Sequence, residues 1–204
     1  MSWAALAQSR RYWLDEVSII GFVVAAYTAT LLYTWGAVSQ DLYLRGLFFL
    51  GITGVGLAFF FASGTIGSSL LVRSWRELLK TGLAVAVGWG LTRILQYAII
   101  QASGGLTVLA TIPTELQRIY LAQAALCETI FVFGIFTFLA ARLHWLVGMV
   151  WIAVSTPFLH SYVYGSLPNA LLAVVASFLL QGVLYFVTRR PSVPLLIHLG
   201  GNLL

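Results

Sequence analysis

Charge is what this chain of 204 residues has least of: Lys, Arg, Asp and Glu make up 8% of it, while 60% is apolar. Globular chains carry roughly 25% charged residues, so a soluble fold is excluded. Cysteine is almost absent as well. Cys127 stands alone inside an apolar run, which rules out an intrachain disulfide and leaves the redox compartment open. A cleavage site is missing too: the run that follows Arg10, Arg11, Asp15 and Glu16 has no small-residue signal-peptide ending, so it is expected to be a retained helix. The formal net charge of +5 is not an argument for a nucleic-acid partner, because the basic residues sit one to three at a time between apolar runs. No nucleic acid is expected, and the partners expected are membrane lipids.

What is present is a series of apolar runs near the roughly 20 residues that a helix needs to cross a bilayer. Cut at charges and turn residues, they predict helices at Val17 to Trp35, Leu47 to Val72, Thr81 to Ile100, Ile119 to Ala141, Trp145 to Tyr164, Leu167 to Val187 and Pro191 onward. The expectation is an all-α fold, a polytopic membrane helix bundle of about seven transmembrane helices forming a single domain over residues 1–204. The last run, Pro191 to Leu204, reaches only about 21 Å at 1.5 Å per residue, short of the roughly 30 Å core. Either that helix ends inside the membrane or the sequence stops early. Gly51, Gly54 and Gly56 are expected to let neighbouring helices approach closely. The connection from Gln101 to Arg118, with Gly104, Gly105 and Pro113, has room for an interfacial or re-entrant element.

Assigning the loops alternately to two sides puts Arg10, Arg11, Arg73, Arg76, Lys80, Arg142, Arg189 and Arg190 on one side and only Arg45 and Arg118 on the other. The excess of basic residues marks the cytoplasmic side, so the N-terminus is expected there, in a plasma or inner membrane.

A charge at mid-bilayer costs at least ~2.5 kcal/mol on insertion scales, which makes an intramembrane ionisable residue a functional candidate. Arg93 and Glu128 fall at similar depths by residue count, close enough for a structural ion pair. His160 lies late in the fifth run, and His198 and Asn202 lie in the last at spacing i, i+4, on one helix face. One carboxylate, two imidazoles and one amide on three apolar helices form the outline of a water-activating site. A carboxylate is a general base, imidazoles orient water or polarise a carbonyl, and an amide NH2 donates to a developing oxyanion. The same carboxylate and histidines also match a two-His-one-carboxylate metal site, and a mid-membrane imidazole suits a haem or chlorophyll. With no HExxH pair in the sequence, neither a metal nor a cofactor is expected.

The stretch GVLYFVTRRPSVPLLIHLGGNLL resembles the CPBP family (CAAX protease and bacteriocin-processing, also called Abi), in which a helix ends in a basic turn and an apolar run leads into HxxxN. The resemblance covers about residues 124–204 and includes the order of an EExxxR helix, an FxxxH helix and the HxxxN helix. It implies an intramembrane protease of metalloprotease-like or glutamate type. Carried over residue by residue, it implies catalytic roles for Glu128, His160, His198 and Asn202. Cys127 stands where the first glutamate of EExxxR falls, Val132 where the arginine falls, and Thr156 where the phenylalanine of FxxxH falls. With those departures, the resemblance implies a catalytically impaired member that acts as an accessory or scaffold subunit, or an assembly factor, beside other membrane-protein subunits. The alternative is an active intramembrane protease that cuts a membrane-embedded or prenylated peptide with glutamate-activated water.

Overall fold

The computed structural model describes residues 42–63, 74–103, 114–164 and 168–203. They form six helices: α1 (Leu42–Ser63), α2 (Trp75–Ser103), α3 (Thr114–Arg142), α4 (Trp145–Tyr164), α5 (Pro168–Thr188) and α6 (Ser192–Leu203). Among the described residues there is no strand, as the unbroken apolar runs predict. The α4 boundaries coincide with the expected ones. α2 and α3 are each 29 residues, longer than the hydropathy cuts, because Trp75, Arg76, Glu77 and Lys80 at one end and Thr114 at another continue the helix into polar sequence. The predicted helix at Val17 to Trp35 and the centre of the Gln101 to Arg118 connection lie outside the described residues. Three helices, α1 to α3, are long and apolar enough to cross a membrane, and α4 and α5 contribute shorter apolar stretches. The chain is accordingly a helical membrane protein.

Burial shows which helix is central. Across its span, 89% of α3 is buried, against 33% for α1 and 22% for α2. α3 packs against α1, α4 and α6, while α2 lies outside α5 and α6. The α1–α3 contact is backbone on backbone. A Cβ added to Gly56 would lie 2.5 Å from the Ile130 carbonyl oxygen, and one added to Gly134 would overlap the Gly56 carbonyl. Among the described residues, Gly56 is the one of the three α1 glycines picked out by the sequence that serves a close approach, since Gly51 and Gly54 have nothing there within 4 Å of an added Cβ.

Leu143 and His144 alone separate α3 from α4, a connection short enough to make them antiparallel neighbours. The core between α3, α4 and α5 is aromatic: Phe133 stacks on Phe178 and meets Tyr185 edge-on. The Tyr185 hydroxyl lies 2.7 Å from Thr137 Oγ1. The basic turn after α5 puts Arg189 in the left-handed region at φ 59, with its guanidinium over the Phe186 ring. Arg190 pairs with Glu77 on α2 and so ties the start of α6 to the start of α2. This turn sets the register of α6, the helix that carries His198.

Candidate functional site

Glu128 is the middle residue of α3, about 21 Å along the helix from either end. It is buried, as are His160 near the end of α4 and His198 on α6. Their side chains converge. His160 Nε2 lies 3.4 Å from Glu128 Oε2, and His198 Nε2 lies 3.7 Å from the same oxygen. One ligand-capable atom from each residue falls within 4.8 Å of the other two. Three of the four residues singled out from the sequence thus meet across three helices.

The other imidazole nitrogens fix the rings. His160 Nδ1 lies 2.9 Å from the Thr156 carbonyl oxygen, one turn back along α4. A carbonyl only accepts, so Nδ1 carries the proton, and in the neutral ring Nε2 presents its lone pair to Glu128. His198 Nδ1 lies 3.0 Å from Thr129 Oγ1, on the residue next to Glu128. Phe178 meets both imidazoles edge-on, with ring centroids 5.4 Å from His160 and 5.0 Å from His198. It forms an apolar wall that holds the two rings toward α3.

The lone pair of His160 Nε2 directed at a carboxylate oxygen needs a positive centre: a proton on the carboxyl group, a proton on the imidazole, or a cation. The Thr129 hydroxyl can donate to or accept from His198 Nδ1, so His198 Nε2 can itself carry a proton toward Glu128. The separations of 3.4 and 3.7 Å exceed the usual hydrogen-bond range of about 2.7 to 3.2 Å, yet they are too short for a water to lie between the atoms. A water held by a base and two oriented imidazoles would have to cap the three atoms from one side. The arrangement also has the form of a metal site in which each histidine coordinates through Nε2 while Nδ1 is held by a neighbouring oxygen. Tetrahedral zinc, with bonds of about 2.0 to 2.1 Å, sets adjacent ligand atoms roughly 3.4 Å apart, so the donor set fits.

Asn202 takes a different place. It lies one turn beyond His198 and donates from Nδ2 to the Leu121 carbonyl at 3.2 Å, two turns before Glu128 on α3. Arg93 donates from Nη1 to the Gly201 carbonyl at 3.2 Å. The Cys127 thiol, buried in the main core, interacts with Thr53 on α1, one helical step of 100° away from the direction of Glu128. Val132 is fully buried, and its carbonyl accepts from Trp151 Nε1 at 3.1 Å.

Thr129 and Phe178 are the site residues that sequence reasoning passed over. A threonine next to a candidate glutamate carries no periodic signal. Phe178 is one aromatic among thirteen phenylalanines, and its place between two imidazoles exists only in three dimensions. No family model, curated protein or solved structure matches the chain.

Proposed function

We propose that the chain is an intramembrane hydrolase, resembling the CPBP type, in which Glu128 takes a proton from a water that the two histidines orient. The observation that carries this reading is the approach of both Nε2 atoms to one Glu128 oxygen. Burying three ionisable groups together is costly, and hydrolysis accounts for that cost where plain packing does not. Cys127 at the first motif position does not count against it, because the residue facing both imidazoles is Glu128. In the proposed cycle Glu128 accepts the water proton as oxygen attacks an amide carbonyl. His198, with its proton on Nε2 and Nδ1 accepting from Thr129, donates to the developing oxyanion, and the Glu128 proton then passes to the leaving nitrogen as the C–N bond breaks. The substrate class is a peptide bond at membrane depth, in a transmembrane or prenylated segment. The topology in this reading is seven spans with a cytoplasmic N-terminus, in keeping with the eight-to-two distribution of basic residues.

The test is turnover of fluorogenic transmembrane and prenylated peptides by the full chain in nanodiscs. Turnover is expected in the wild type and is expected to vanish in Glu128→Gln at unchanged protein level. Absence of turnover, with Glu128→Gln retaining the cellular role, would instead establish the silent scaffold that the changes at Cys127 and Val132 favour.

A second reading is favoured by the fixed Nδ1 atoms, which leave both Nε2 atoms and the Glu128 carboxylate as a three-donor set for a divalent metal. Glu128, His160 and His198 would hold it, and bound there it would supply Lewis acidity that makes water a nucleophile near neutral pH. Elemental analysis of protein purified without chelator decides between the two. About one zinc per chain, lost in both His160→Gln and His198→Gln, selects the metal reading, and a metal-free protein with turnover selects the glutamate reading.

A further inference from the structure

We propose that Arg93 is a positioning residue for His198, holding α6 at the depth and rotation that bring the imidazole to Glu128. An arginine inside a span needs buried polar partners, and one of them here is a backbone carbonyl on the site helix. Arg93 sits in the interior of α2, 18 residues after its start and 10 before its end. Its Nη1 reaches the Gly201 carbonyl, three residues beyond His198. The carbonyl is accessible from α2 because Gly200 and Gly201 carry no side chains. A Cβ on Gly200 would lie 2.7 Å from Trp89 Cδ1 and 2.9 Å from Trp89 Nε1, so α2 seats its indole directly on the α6 backbone. Trp89 and Arg93 are one turn apart, on one face of α2, and the guanidinium carbon lies 5.7 Å from the Trp89 ring centroid. Indole and guanidinium together grip one turn of α6.

The grip matters because α6 is only 12 residues long, so few contacts fix its rotation and depth. A slip of one residue rotates a side chain by about 100° and moves it about 1.5 Å along the axis, enough to carry the ring away from Glu128 Oε2. The turn at Arg190 and the Asn202 bond to Leu121 hold the two ends, and Arg93 on α2 holds the segment next to the imidazole. The position of the His198 ring does not depend on whether Glu128 hydrolyses a peptide, so its dependence on Arg93 goes beyond the hydrolase reading and stands or falls apart from it.

The experiment is histidine-selective 15N NMR of the full chain in nanodiscs, with the three histidines assigned by His144→Gln, His160→Gln and His198→Gln. In Arg93→Met the ring signals of His198 are expected to move beyond their linewidth, while those of His160 stay in place. Arg93→Lys, which keeps a charged donor on a similar stem, is expected to return the His198 signals toward the wild type. Unmoved His198 signals in Arg93→Met overturn the proposal, as do equal shifts of His160 and His198, which would mark Arg93 as a general support of the bundle. Arg93→Gln makes the same comparison if the methionine variant does not fold. Loss of folded protein in both neutral variants likewise overturns it.

Discussion

α2 and α3 have the same length and opposite fates. Each is a 29-residue helix with an apolar span, yet 22% of the α2 span is buried and 89% of the α3 span. The α3 span is the more apolar of the two, but apolarity alone does not draw a helix inward, because lipid and protein interior are equally acceptable to a leucine. The residues between the leucines differ as well. α3 carries Glu128, Thr129, Gly134 and Thr137, each engaged by or pressed against another helix. α2 carries Leu83, Ile94 and Tyr97, each about two-thirds exposed, and turns only a narrow face toward α5 and α6. In a membrane bundle the polar and small residues choose the partner face, and the apolar ones fill whatever is left.

The hardest test of that comparison is a bulky side chain on each helix. Gly134→Leu is expected to abolish folded protein, because the added group would occupy the Gly56 backbone. Gly90→Leu on α2 is expected to leave the thermal midpoint in detergent near that of the wild type, since an added Cβ there meets nothing within 4 Å. Similar losses in the two variants would erase the distinction. Next in size is truncation of the ring between the imidazoles. Phe178→Ala should cost about 3 to 5 kcal/mol, as large core aromatics do, and release both histidine rings. Ile94→Ala, at an exposed position on α2, should cost little, and denaturant titration in mixed micelles measures both.

The sequence made the described helices legible, and it made legible the three residues that converge at the candidate site, for one physical reason: in an apolar chain every ionisable residue is conspicuous. Glu128, His160 and His198 stood out because their insertion is costly. The ends of α2 and α3 were not legible, because a hydropathy cut stops at the first charges while a helix continues through them. Asn202 matched by spacing to His198 but took a carbonyl two turns from Glu128 as its partner, a choice that depends on how α6 lies on α3. Gly51 and Gly54 looked like contact residues beside Gly56, yet only the last faces α3, since three positions so close together point in different directions.

Threonines sharpen the comparison at the next level down. Thr129→Val removes the oxygen beside His198 Nδ1 and leaves a buried ring nitrogen without that partner, which should cost about 1 to 3 kcal/mol. Thr92 on the inner face of α2 is equally buried, and its hydroxyl has no hydrogen-bond partner. Thr92→Val should therefore be neutral or stabilising, because the isostere removes a buried polar atom that gains nothing. Destabilisation by Thr92→Val comparable to that of Thr129→Val would mean that α2 also has an organised polar face.

The smallest expected effect compares two tyrosines. Thr137 Oγ1 donates to the Phe133 carbonyl at 2.6 Å, which commits its hydrogen and makes Tyr185 the donor in the 2.7 Å bond between the two hydroxyls. Tyr185→Phe therefore deletes one donor while Thr137 keeps its backbone partner, and the cost should be about 1 kcal/mol. Tyr97→Phe, on a residue 66% exposed, should cost nothing measurable. The double variant Tyr185→Phe with Thr137→Val separates a hydrogen bond from simple packing. If the bond is the source of the loss, the combined cost should fall below the sum of the single costs, because neither oxygen is then left without the other. Strict additivity would show that the hydroxyls contribute independently, and that α3 is held to α5 there by the rings of Phe133, Phe136 and Tyr185 alone.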